Sequence, residues 1–122
     1  MTTKQNLEHV IVETDILYRK CFVFVLDVIQ YCDLLEKNKK SCVAKQLLTT
    51  ATTFGTNINK LKNATNTNVI NKKINNSIKE AEKIKYQLKL CKFSDTYPKP
   101  NNLIQDIDKL LEQITELQII RT

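Results

Sequence analysis

The sequence predicts an all-α fold, an antiparallel up-down-up-down four-helix bundle, and three observations predict it. The 122 residues include one glycine and two prolines, too little turn chemistry for a sheet protein. Apolar residues recur at helical spacing in four separate stretches. Short polar segments part those stretches, as antiparallel neighbours in a bundle require. The length suits one domain around a single core.

The first helix is expected over about 15–37, with Thr14 or Asp15 as its cap and residues 1–14 as an N-terminal extension. Its middle is apolar on nearly every side, through Phe22, Phe24, Val25, Val28, Ile29, Tyr31 and Cys32. A helix apolar all round must be covered on more than one face. One small bundle covers only one, so the excess points to a partner surface, most simply another copy of the chain.

The loop NKK leads to Ser41, the expected N-cap of a second helix over about 42–63. Here Leu47, Ala51, Phe54, Ile58 and Leu61 are spaced 4, 3, 4 and 3 apart. That is a helical stripe, and it outweighs the strand preference of the many threonines. The single glycine, Gly55, falls mid-helix, where it costs roughly 1 kcal/mol relative to Ala. A packing reason is expected: without a side chain it lets another helix approach closely.

ATNTN turns the chain, and Asn66 or Thr67 can cap a third helix over about 67–93. Its inner stripe is Ile70, Ile74, Ile78, Ala81, Leu88 and Cys91. Two prolines in SDTYPKPNN end it. The fourth helix is expected over about 101–120, with a stripe at Ile104, Ile107, Leu111, Ile114 and Leu117.

Charge is segregated. Residues 1–40 balance, residues 41–93 hold ten lysines against Glu80 and Glu82, and residues 94–122 are slightly acidic, so the overall +6 belongs to the central hairpin. On the third helix Lys72, Lys79 and Lys83 fall within about 40° of one another at about 100° per residue. They lie opposite the isoleucine stripe, and Lys60 and Lys62 end the second helix. Such a line suits a phosphate backbone, which binds through many weak contacts with little sequence preference. A merely solvated face is the alternative.

The same residues exclude other chemistry. No Gly-rich phosphate loop, nucleophile–base pair or metal-ligand cluster is present, so no catalytic residue, metal or cofactor is expected. Asp106 and Asp108 are explained by the dipole at the start of the fourth helix. Cys21, Cys32, Cys42 and Cys91 lack the spacing of a zinc site, and read as reduced, buried apolar residues. The most apolar run, CFVFVLDVIQYC, falls short of the roughly 20 residues that cross a bilayer. With no signal-peptide pattern at the N-terminus, a cytoplasmic protein away from the membrane is expected.

The runs KCFVFVLDVIQYCDLL, KKSCVAKQLLTTATTFGTNI and KEAEKIKYQLKL resemble the bacterial four helix bundle protein family. That family includes proteins encoded by intervening sequences of split large-subunit ribosomal RNA genes. It is related to the accessory variability determinant of diversity-generating retroelements. The resemblance spans about residues 15–120 and is most specific in the second helix. It implies a left-handed bundle assembled into a ring, commonly a homopentamer, and a possible reverse transcriptase partner. It also makes Gly55 a close-contact point. Asn57 matches the family's asparagine, which would be either a buried amide bonded between helices or a solvated side chain on the flank. Lys60, Lys83, Lys85 and Lys89 stand where relatives tend to carry Glu, and Gln87 where Trp is common.

Phe22, Phe24, Tyr86 and Leu90 are the expected oligomer contacts. The expected function is a non-enzymatic, oligomeric RNA- or nucleic-acid-binding protein. The alternative is a structural or protein-interaction ring with no nucleic-acid role.

Overall fold

A computed structural model describes the backbone of residues 3–121 and the side chains of residues 15–118. It contains α1 (Thr3–Lys37), α2 (Ser41–Leu61), α3 (Thr67–Phe93) and α4 (Leu103–Arg121), with no strand among the described residues. Each helix packs on its two neighbours around a square, α1 on α2, α2 on α3, α3 on α4 and α4 on α1. Cross-helix pairs show the antiparallel register: Asn57 with Glu80 and Thr50 with Gln87 join α2 to α3. Lys85 with Asp108 and Asn75 with Gln118 join α3 to α4.

The core is the set of inward stripes. Phe54, Leu47, Ile58, Ile74, Ile84, Leu88, Ile107 and Ile114 are fully buried. Phe24 meets Phe54 edge to face, centroids 6.5 Å apart, the orientation that aromatic quadrupoles favour. In α4 the buried line is Leu103, Ile107, Leu110, Ile114 and Leu117, so the expected Ile104 and Leu111 sit half-buried at its edge. In α3 the stripe also takes in Ser77, Ile84 and Gln87, and Ile78 is only partly covered.

Helix ends depart from expectation at two places. Helix α1 begins at Thr3, not near 15, because no Gly or Pro interrupts the chain between Thr3 and Lys37. At its other end Lys39 is left-handed, φ 64°. The Lys40 N–H donates to Leu35 O at 2.8 Å and the Lys39 N–H to Glu36 O at 3.0 Å. This is a Schellman ending built without glycine. It brings Lys40 to the N-cap of α2 and leaves Ser41 already inside the helix, with no side-chain cap. The α3 start is as expected, with Asn66 Oδ1 accepting from the N–H groups of Asn68 and Val69.

The loop between α3 and α4 is held against the α1–α2 end. Tyr31 donates its hydroxyl to Pro98 O at 2.6 Å. The Lys40 ammonium lies 4.8 Å from the Tyr97 ring centroid and also reaches Thr96 Oγ1.

Gly55 faces α1. A Cβ there would lie 3.2 Å from Val25 Cγ2, tighter than ordinary contact. The close approach inferred from TTFGTNI is a real α1–α2 contact. No described helix is long and apolar enough to cross a membrane.

Candidate nucleic-acid interface

Helix α3 presents one line of side chains to the outside. Its buried residues point at α2, α4 and the core, which leaves Lys72, Lys79 and Lys83 exposed on the opposite side. None of the three pairs with a described acid. The acids nearby are partly spoken for. Glu80 Oε1 accepts from Asn57 Nδ2 at 2.7 Å, so Asn57 is the half-buried amide bonded between helices. Glu82 is exposed on the flank. Lys85 is different from its neighbours: it meets Asp108 of α4 at 2.6 Å and so serves the bundle.

The two lysines expected from α2 are separated by the fold. Lys60 is exposed one turn beyond Asn57, on the side of α2 that faces α3. Lys62 turns the other way, its ammonium 5.9 Å from the ring centroid of Tyr18 on α1. It therefore stands apart from the α3 line. The reason is helical phase: two residues rotate a side chain by about 200°, so Lys60 and Lys62 cannot share a face.

The four expected oligomer contacts also divide. Phe22 is 67% exposed, with Val23 and Leu26 beside it on the outside of α1. Phe24 is 3% exposed, and as a core residue against Phe54 it is not an interface residue. Its place was readable: Leu17, Cys21, Phe24 and Val28 repeat at 4, 3 and 4. Tyr86 and Leu90 are exposed as expected.

They are not isolated from the lysines. Lys72, Lys79, Lys83, Tyr86, Leu90 and Phe93 fall within about 80° at roughly 100° per residue. The line runs for roughly 30 Å at about 1.5 Å per residue. Phe93, 75% exposed, was missed in the sequence. Its signal is the outer 4, 3, 4, 3 spacing from Lys79 to Phe93, which mirrors the inner stripe. The ammonium of Lys92 lies 5.5 Å from its ring centroid. Lys99 Nζ donates to Lys92 O and Ser94 O, both at 2.9 Å, adding a cation at the C-terminal end of α3. That end carries the negative pole of the helix dipole.

A second surface lies between α1 and α4. A groove of about 600 Å³ there is rimmed by both signs, Arg19, Lys20 and Lys109 against Asp27, Asp106 and Glu112. Among the described residues no three His, Cys, Asp or Glu side chains gather as metal ligands. Cys21, Cys32 and Cys91 are buried, while Cys42, expected to be buried, is exposed on the first turn of α2.

No family model and no curated protein matches the chain by sequence. A solved structure does match: a protein of unknown function from the S23 ribosomal protein family of Bacteroides thetaiotaomicron VPI-5482. It is 20% identical, with a TM-score of 0.80, over 88% of this chain and 98% of that one. The chain therefore has the four-helix fold of that protein.

Proposed function

We propose that the protein is a non-enzymatic, self-associating four-helix bundle that binds RNA or another nucleic acid through the outer face of α3. The observation that carries this is the line of Lys72, Lys79 and Lys83, all exposed and none paired with a described acid. Lys60 adds to it from the neighbouring helix. Phosphate contacts of this kind fix position and carry no sequence information. Self-association would repeat the line around the assembly and strengthen its field. The exposed Phe22, Val23 and Leu26 of α1 support that association. The resemblance of the helix sequences to retroelement accessory proteins extends the proposal to a homopentamer that offers RNA or cDNA to a reverse transcriptase.

The test is filter binding of a structured RNA across a salt series. Changing Lys72, Lys79 and Lys83 to Gln should weaken binding about equally for unrelated sequences. It should also reduce the slope of log affinity against log salt by roughly 0.7 to 0.9 for each lost contact in a bound protomer. A matched change of Lys4, Lys20 and Lys37 is the control. If the two triple variants behave alike, the face is only solvated. The apolar surface of α1 favours a second reading, an interaction ring without nucleic acid. That reading takes over if the wild type shows no salt-dependent binding.

A further inference from the structure

We infer that the α3 face takes single-stranded nucleic acid, with unpaired bases stacking on Tyr86 and Phe93 beside the lysine line. This rests on the nucleic-acid reading above and names the form of the ligand. Tyr86 is 64% exposed and Phe93 75% exposed. They stand seven residues apart on one outward line, roughly 10 Å along the helix axis. Leu90, 51% exposed, lies between them as an apolar floor. Binding of single strands without sequence preference combines a cationic track with aromatic faces, because every base has a π-face to stack. A duplex keeps its bases stacked inside and would meet only the lysines, leaving the apolar half of the line against water.

Charge separates this occupant from a second copy of the chain. The aromatic half is flanked by Lys83, Lys89 and Lys92, with Lys99 anchored at the helix end, and these four cations outnumber its two exposed acids, Glu82 and Asp95. A contact between copies would have to cover those cations with acids. The exposed apolar surface of α1 offers charges of both signs beside it, Arg19 and Lys20 as well as Asp27. A polyanion with flat apolar bases fits both halves of the line at once.

The chain has no tryptophan, so Tyr86→Trp or Phe93→Trp installs a single fluorophore at each proposed platform. Addition of an oligouridylate should quench it, and a blunt duplex of equal length should not. Tyr86→Leu and Phe93→Leu keep the apolar surface but remove the ring. Each should lower affinity for the oligouridylate by roughly fivefold or more, the scale of one base–aromatic stack. Because no charge is lost, the salt slope should stay as in the wild type. Unchanged oligouridylate affinity in both Leu variants, with weakened binding in the lysine variant, overturns this inference and leaves the nucleic-acid reading standing. Absence of binding by the wild type removes both. If Tyr86→Ala or Phe93→Ala lowers the oligomeric mass, the face is a contact between copies and the inference fails.

Discussion

Gly55 shows how one missing side chain sets a helix contact. Val25 of α1 occupies the space a Cβ would need, with its Cγ2 3.2 Å from that point. Gly55→Leu should destabilise the bundle by roughly 1–3 kcal/mol through overpacking. Gly55→Ala sets a helix-propensity gain of about 1 kcal/mol against a contact that Val25 must relieve by a few tenths of an ångström, so its effect should be small. Thermal unfolding of both variants checks this; an unchanged midpoint for Gly55→Leu would refute the close approach. Buried acids give the second residue-scale prediction. Burial raises the Cys21 thiol to about 12 and the Cys32 thiol, aided by the Asp33 carboxylate, to about 11. Burial, reinforced by a side-chain hydrogen bond with Cys91, also raises Tyr31. The native state therefore holds protons that the unfolded chain releases above about pH 9. Stability from these groups is fully present below that pH and is lost as pH climbs through 11 and 12. Urea midpoints should fall across that alkaline range and fall less in a Cys21→Ala, Cys32→Ala variant. Thiol titration should find Cys42 reactive in the native protein and all four cysteines only after unfolding.

At the scale of elements, the helix ends hold the most readily gained stability. The Schellman ending of α1 places Lys39 at φ 64°, where glycine would carry no Cβ strain. Lys39→Gly should raise stability by up to about 1 kcal/mol, since the relief of left-handed strain exceeds the added freedom of the unfolded chain. At the start of α3, Asn66 satisfies two backbone donors. Asn66→Ala should cost about 1 kcal/mol. Denaturant titration of the two variants should move the midpoints in opposite directions with unchanged slopes. These ends also illustrate why boundaries are harder to read than helices. Ser41 has the chemistry of an N-cap, but the backbone path out of α1 decides which residue occupies that place.

The whole molecule has more apolar surface than one copy covers. Phe22, Val23 and Leu26 lie outside the core on α1, away from the α3 face assigned above to nucleic acid. These two helices sit at opposite corners of the square. Light scattering at micromolar concentration should find a mass several times that of one chain, with five copies the expected number. Phe22→Ser with Val23→Ser should reduce it while leaving helical circular dichroism intact, because neither side chain contributes to the core. A clean monomer in the wild type would remove self-association from the proposed function.

The sequence by itself determined the four helices, their antiparallel order and most of the core. Periodicity reports which residues share a face, and hydrophobic burial then leaves little choice of inward side. It also singled out Gly55 and the Lys72–Lys79–Lys83 line and narrowed the α3 cap to Asn66 or Thr67, since each depends on spacing within one helix. What depends on two helices at once was decided only by the tertiary structure. Phe24 lies on the Leu17–Cys21–Phe24–Val28 repeat, so its inward place was legible, but its edge-to-face contact with Phe54 was not. Helical phase already turns Lys85 away from the Lys83 line, but only the α3–α4 seam shows that Asp108 pairs with it. Lys60 and Lys62 face opposite sides of α2 by helical phase alone, but only the fold puts the Lys62 ammonium over the Tyr18 ring of α1. Short-range repetition is encoded by the helix itself, whereas the partner each side chain meets is set by whichever neighbour the folded chain brings within a few ångströms.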